Sequence, residues 1–486
     1  MNRPKGAALV HLPLSALILG SLLTSCNTMI VGKNYQSPEI ITPDTWHQSL
    51  AKDMRSSSSS LHSWWKKFND PTLTKLVNMS AKANPDVKIA LERVVEAQEG
   101  RRISRSGLAP TVDLAGNVLG SSQSENTDPP NLLGGQSYEN WSTGASASWE
   151  LDFFGGVRRA IESSDATAEA LEEAYRDTLV TLFSEVAFSY IEVRTFEERI
   201  RQAQNNIKNQ AESVELTQER FEAGLVPELD VSQAQTNLAN SRALVPQLRA
   251  QRAVSLNRLA TLLGKYAGEG EALVNNSKGI PMPSSNTGIG LPTNLLRSRP
   301  DIRRAERELA AQTARIGVAE ADLYPRFFLA GDFAFQSGNT NNLFNSSSGA
   351  YSFGPSFRWN IFSAGRIRSQ IKVEESRTRQ ALYFYEQTVL RGVEDVENSL
   401  ASAFYERDRM SALNDAVQSA QRTVDLVKTN YKQGLVDFQN VLDAERTIFN
   451  SQDAAATSKG VVAAAYVSLY KSLGGGTVMP EVSIQK

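Results

Sequence analysis

From Trp141 onward the chain alternates strictly. Trp141, Thr143, Ala145, Ala147, Trp149, Leu151 and Phe153 fall on one side, and Ser142, Gly144, Ser146, Ser148, Glu150 and Asp152 on the other. Period two over a dozen residues predicts a strand with one apolar and one polar face. The alternation returns at Tyr351, Phe353, Pro355, Phe357, Trp359 and Ile361, set against Ser352, Gly354, Ser356, Arg358 and Asn360. A third strand opposes Phe327, Leu329, Phe333 and Phe335 to Arg326, Ala330, Asp332 and Gln336, and Val112, Leu114 and Val118 mark a weaker fourth within 111–122. Between the strands the pattern becomes helical. Residues 157–223 contain neither proline nor glycine, so as one helix they span about 100 Å, and Gly224 can end it in the left-handed conformation. Glu228 to Leu263, interrupted only by Pro246, predicts a second helix of about 54 Å, and Pro85 to Leu108 a shorter one of about 35 Å. Ahead of these, Asp70 and Pro71 suit the N-cap and first position of another helix. Such rods bury apolar stripes only against neighbours along their length.

All of this occurs twice. Pro85, Leu108 and Pro110 recur as Pro300, Leu323 and Pro325, an offset of 300 − 85 = 215. Past the strands the offset is 434 − 224 = 210, which pairs Gly224-Leu225-Val226 with Gly434-Leu435-Val436 and Leu263-Gly264 with Leu473-Gly474. The five-residue difference is expected in the polar loop around Gln123 to Gln136 of the first strand hairpin. A repeat of this size indicates a duplicated structural unit. The expected organisation is a signal segment 1–25, an arm 26–63, a first repeat 64–276 with strand hairpin 111–153 and helical tip 224–227, and a linker 277–291. A second repeat 292–476, with strand hairpin 326–362 and tip 434–437, and a tail 477–486 complete it.

Composition narrows the function. The formal net charge of -2, from 51 basic and 53 acidic residues, gives no global field for nucleic acid. No stretch after the signal reaches the roughly 18 apolar residues of a membrane-spanning helix, so any bilayer crossing must use strands. Three histidines and one cysteine in 486 residues exclude a disulfide framework or cysteine metal site and leave little material for catalysis. No nucleophile elbow, metal spacing or phosphate loop stands out, so no enzyme, metal or cofactor is expected. Arg3 and Lys5, the apolar run Leu14 to Leu23 and small residues before Cys26 form a secretory signal.

Twelve residues per strand, tilted about 45°, match the height of an outer-membrane apolar band, and Trp141, Trp149, Tyr351 and Trp359 suit its aromatic girdles. Four strands are too few for a barrel of at least about eight, and open edges cannot face lipid. The barrel must be shared between chains, and a pore of useful width favours three. The fold class is therefore mainly α with membrane β: long packed helices plus a transmembrane β-barrel shared between chains, with four strands per protomer. A periplasm-spanning structural lipoprotein without a pore is the alternative, and it would need no alternating strands.

Trp64-Trp65, Phe68, Asp70-Pro71 and Leu73, then Arg299-Pro300-Asp301-Ile302-Arg303-Arg304-Ala305-Glu306, Ile316-Gly317-Val318-Ala319 and Tyr324-Pro325, resemble the TolC-type outer-membrane efflux channels, lipoprotein branch. Leu23-Thr24-Ser25-Cys26 resembles a bacterial lipobox, which implies lipidation at Cys26, and Asn27 implies the outer membrane. The resemblance implies a homotrimer whose long coiled-coil helices form a long α-helical barrel and which serves as passive exit duct of a tripartite efflux system. Its partners would be a periplasmic adaptor, an inner-membrane resistance-nodulation-division transporter and outer-membrane lipid. It further implies a periplasmic gate at Asp230, Tyr431, Asn440, Asp443 and Arg446. Asn440 stands where some relatives carry a second carboxylate and Val436 where some carry an arginine, which implies a less acidic ring and a different latch. The tips Gly224, Leu225, Val226, Gly434, Leu435 and Val436 would meet the adaptor.

Overall fold

The computed structural model describes residues 29–41, 43–48, 54–55, 61–122, 124, 137–274, 279–283, 287–288 and 298–477. The signal segment and Cys26 lie outside the described residues. Seven helices of more than one turn occur among them: α1 (Pro71–Ala83), α2 (Pro85–Ser106), α3 (Gly156–Glu222), α4 (Glu228–Leu262), α5 (Pro300–Ala321), α6 (Arg366–Lys432) and α7 (Phe438–Ser472). The principal strands are β1 (Thr111–Ser122), β2 (Ser137–Leu151), β3 (Arg326–Ser337) and β4 (Gly349–Arg358). Three helices of one copy thus reappear in the other with the same length: 22 residues for α2 and α5, 67 for α3 and α6, 35 for α4 and α7. No described helix is long and apolar enough to cross a membrane.

The chain divides into two compact units, each drawing on both copies. The first comprises 1–36, 98–166 and 310–380 and the second 37–97, 167–309 and 381–486. The sheet of the first unit runs β1-β2-β3-β4 and is antiparallel throughout. Its register puts Leu114, Ala145, Phe333 and Tyr351 in one row and Val112, Ala147, Gly331 and Phe353 in the next. The apolar positions of all four strands therefore share a face. Pairing Thr111 with Ser148 and Arg326 with Arg358 respects the two offsets; the loop around Gln123 to Gln136, where the five extra residues are expected, lies outside the described residues except for Ser124. The strands end sooner than the alternation suggests, at Leu151 and Arg358, which leaves Phe153, Trp359 and Ile361 past the sheet. At the first exit Asp152 turns to cap α3, accepting from Val157 N and Arg158 N at 3.0 Å each. At the second, Ala364 and Gly365 turn the chain at φ +47° and +83°.

A strap formed by residues 30–34 crosses this unit. Val31 N donates to Phe154 O at 3.1 Å. Arg159, 2% exposed, donates to Val31 O, Gly32 O and Asn34 Oδ1 at 3.0, 2.8 and 2.9 Å. Gly32 has φ +87°, and a Cβ there would stand 2.6 Å from Gly317 Cα, so this crossing requires both glycines.

The second unit explains the opening and middle motifs. Trp64 is fully buried and stacks on Tyr470 at 5.3 Å, while Trp65 meets Phe183 edge-on at 5.0 Å. Asp70 caps α1 through Leu73 N at 2.9 Å and accepts from the Tyr190 hydroxyl at 2.7 Å. The residue before each repeat proline ties down the end of a helix in its own copy. Asn84 Nδ2 donates to Leu262 O at 3.0 Å, and Arg299 Nη1 donates to Ser472 O at 2.8 Å. Arg299 also forks onto Asp301 (3.0 and 2.7 Å) and reaches Asp395 (3.0 Å).

Candidate functional site at the hairpin tips

Both helical hairpins turn through the same motif in the second unit. Gly224 (φ +75°) donates to Phe221 O at 2.8 Å, and Leu225 N to Arg220 O at 2.9 Å. Gly434 (φ +74°) and Leu435 repeat this with Tyr431 O and Asn430 O, both at 2.9 Å. These bonds satisfy the last carbonyls of α3 and α6, and only glycine turns left-handed there without strain. The following side chains divide. Val226 and Val436 pack against a cluster of Ala234, Tyr431, Phe438, Val441 and Leu442. Leu225 and Leu435 remain 64% and 69% exposed. The capping motif thus uses the valines and leaves both leucines available at the tips.

Tyr431 is buried, with its ring 5.5 Å from Phe438 and the Arg220 guanidinium 4.8 Å above it. Arg220 also donates to Tyr431 O and Lys432 O at 2.8 and 3.0 Å, so a cation of the first hairpin caps the C-terminus of α6 in the second. The neighbouring hydroxyl, Thr217, donates to Ser213 O at 2.7 Å, and the Tyr431 hydroxyl has no protein partner in good hydrogen-bond geometry. Burial, opposed in part by Thr217 and reinforced by the Asp230 charge, pushes the Tyr431 hydroxyl up. Asp230 lies half-buried in the first turn of α4, and burial followed by the Asp437 charge raises its carboxyl. Asp230 and Tyr431 are therefore close enough to act on each other.

The other gate candidates lie apart from this contact. Asn440 is exposed and reaches Asp437 O at 3.4 Å. Asp443 is exposed and accepts from Gln439 Nε2 at 3.1 Å. Asp443 and Arg446 stand at i, i+3, a spacing that allows an ion pair, but the carboxylate turns toward Gln439, one helical turn earlier. Arg446 points to the exposed side of α7.

Further links between the hairpins were not anticipated. Ser213 Oγ donates to Glu445 Oε1 at 2.6 Å, and Lys428 Nζ stands 2.9 Å from the same oxygen; the Glu445 side chain is only 3% exposed. Arg199 forks onto Asp453 at 2.7 and 3.0 Å. With Arg220 these links fall at residues 199, 213 and 220 of α3, spaced by multiples of seven, so they share one face of the helix. That heptad spacing is the sequence signal that could have found them.

In the first unit, Trp149 Nε1 donates to Leu108 O and Trp359 Nε1 to Leu323 O, each at 3.0 Å. These indoles mark the junctions of helix and strand, as interfacial tryptophans with one polar edge do. Trp141 lies opposite Val118 and Ser337, and its Nε1 reaches Glu139 at 3.3 Å; Tyr351 is exposed in the apolar row with Phe333.

The outer membrane efflux protein family model matches residues 76–265 and 291–475. Nodulation protein T of Rhizobium leguminosarum bv. trifolii is 32% identical over 457 residues, covering 94% of this chain and 95% of its own. The pyoverdine export outer membrane protein OpmQ of Pseudomonas aeruginosa is 30% identical over 467 residues, covering 94% and 96%. Among solved structures, the outer-membrane channel OprN is 34% identical with TM-score 0.86, covering 92% of this chain and 99% of its own. CusC is 26% identical with TM-score 0.81, covering 92% and 100%. The chain belongs to the outer membrane efflux protein family, and it is an outer-membrane efflux channel that extends into the periplasm.

Proposed function

We propose that three copies of this chain form the passive exit duct of a tripartite efflux system, anchored by lipid on Cys26 and performing no chemistry of its own. The observation that carries this reading is the four-stranded sheet, whose apolar positions share one face, with β1 and β4 unpaired on their outer edges. Unpaired edges in lipid forfeit several kcal/mol per backbone group, so they must pair. In an order of four alternating strands β1 and β4 run oppositely, so β4 of one copy can continue antiparallel into β1 of the next. Three copies then close twelve strands. A pore-free stalk would have no use for that apolar face.

In such a trimer Asp443 recurs three times around the axis. A ring of three carboxylates at a narrow neck favours cations. Asp230, Tyr431, Asn440, Asp443 and Arg446 make up the gate region, with Arg220 as its part-buried cation. Leu225 and Leu435 at the tips present exposed apolar groups to a periplasmic adaptor, which connects the duct to a resistance-nodulation-division transporter. The duct leaves the choice of cargo to the transporter. Relatives of about 30% identity named for pyoverdine, cation and solvent export support this, because those cargoes share no chemistry.

The test combines gel mobility of the unheated protein with single-channel recording in planar bilayers. A heat-dissociable trimer with discrete conductance is expected, and a monomer without conductance sinks the reading. The double variant Leu225→Asp, Leu435→Asp should retain conductance and lose export; normal export by that variant would remove the tips from the adaptor contact.

A further inference from the structure

Below Ala203 the most buried line of α3 turns polar. Asn206, Gln210, Ser213 and Thr217 follow at spacings of four, three and four, and all are buried. These are seam positions of a helix packed lengthwise, where apolar residues ordinarily sit. The flanks of the same turns are apolar, with Ile207, Val214 and Leu216 packed into hydrophobic clusters. The second copy is the internal control. At the 210 offset it carries Ala416, Ala420, Thr423 and Val427; Ala420 and Val427 pack in apolar clusters, whereas Ala416 and Thr423 are exposed. The fold therefore does not demand polarity at the places of Gln210 and Thr217.

Bonding along the line is incomplete. Ser213 and Thr217 have partners, but Asn206 Nδ2 and Gln210 Oε1 have none in the protein, and neither do Asn237 Nδ2, Arg220 Nε and Tyr431 Oη. These are five of the nine such buried side-chain atoms among the described residues, so the shortfall concentrates in this stretch. A buried polar group without a full set of partners disfavours the packed arrangement relative to one that hydrates it.

We propose that this line is a wettable parting seam, along which the second helical hairpin moves off α3 as water reaches Asn206 and Gln210. The inference rests on the channel reading and extends it. It places the moving boundary roughly two to five helical turns back from Gly224, behind the tip contacts. Asn206 and Gln210 act as positioning residues that hold the packed and parted arrangements close in free energy, while the flanking apolar clusters keep the packed one ordered.

The double variant Asn206→Leu, Gln210→Met keeps side-chain volume while removing the polar groups. In the full-length assembled protein it should raise the temperature of oligomer dissociation and slow amide hydrogen exchange over 203–217. It should also lower conductance and pump-dependent export at least tenfold. Asn206→Ala, which adds no volume, should shift all readouts the same way, and it covers the case in which the double variant does not assemble. Unchanged conductance and export, whatever happens to heat resistance, would overturn the proposal. So would a loss of stability in both variants, since it would mean that enclosed water or neighbours already satisfy these groups. Wild-type conductance in the same bilayers decides the channel reading separately.

Discussion

Arg220→Ala tests whether the contact between the two hairpins holds the tip closed. The guanidinium gives two charge-assisted bonds, at 2.8 and 3.0 Å, to the last carbonyls of α6 and lies 4.8 Å from the Tyr431 ring centroid. Bonds from a charged group contribute about 1.5–3 kcal/mol each and an exposed cation–π contact about 0.5–1 kcal/mol. Arg220 is only part-buried and its Nε has no partner, so the lower ends apply, and the sum is about 3.5 kcal/mol. Tyr431 O keeps its bond from Gly434 N, so the truncation does not also orphan that carbonyl. If these contacts exist only in the closed arrangement, their loss raises the open-to-closed ratio by roughly several hundredfold. Planar bilayers should then show larger or more frequent openings, and cells should become sensitive to antibiotics normally too large to enter. Arg220→Lys retains the charge at the helix end but loses the fork and the stacking, so it should fall between wild type and alanine. An Arg220→Ala oligomer that assembles normally and conducts like wild type would refute the assignment.

Asp443→Ala should make the closed pore leakier and less cation-selective if three carboxylates meet at the axis, and an unchanged reversal potential in a salt gradient would exclude that ring. Gly317→Ala would bring a methyl within 2.8 Å of Arg159 Cγ, where that side chain grips the strap. It should cost about 1–3 kcal/mol and expose residues 29–48 to protease, so wild-type digestion kinetics would argue against the strap's role. Asp177 sits among Asp301, Arg304, Arg299 and Lys471. Burial first, then the Asp301 charge, raises its carboxyl against the pull of the three cations. The folded state holds this proton more tightly than the unfolded one, so the penalty is absent below the ordinary aspartate value of about 4 and grows as pH rises through the raised one. Asp177→Asn should therefore raise the unfolding temperature by a few degrees at neutral pH and by nothing at low pH; a pH-independent gain would disprove the burial argument.

The long elements could be read from the chain because their signals are local. A run of 67 residues without proline or glycine has no place to break, and a period-two run assigns each side chain a face. The sheet register then confirmed that four separately identified faces coincide. Strand ends were less legible, because Asp152 and Ala364 leave the sheet through capping and backbone turns that do not disturb the alternation. The tip contacts were the least legible. Arg220 and Tyr431 are 431 − 220 = 211 residues apart, and Ser213 and Glu445 are 445 − 213 = 232 apart. No local pattern pairs such residues. The local pattern that did suggest a pair, Asp443 with Arg446, lost to an equally local bond with Gln439.

The duplication turns these contacts into an argument about which part moves. Contacts made in both copies define architecture: the two glycine turns, the residue before each repeat proline bonded to the end of a helix, and the two indoles bonded to leucine carbonyls. A trimer built from these alone would present six near-equivalent hairpins, with nothing to favour movement of one over another. A change between two states requires contacts that differ between them, and therefore contacts that tell the hairpins apart. Those occur where the copies diverge at the 210 offset: Arg220 against Asn430, Phe221 against Tyr431, Gln235 against Glu445, and Asn206 against Ala416. In each pair the residue that makes the described cross-hairpin contact, or occupies the polar seam, lies between α3 and the second hairpin. The second hairpin is thus held to α3 by polar contacts that water can replace and also by an apolar cluster, in which Val214 and Leu216 of α3 and Ala234 of α4 join Tyr431, Phe438, Val441 and Leu442. Movement of the second hairpin off α3 must therefore part that cluster as well as the polar links.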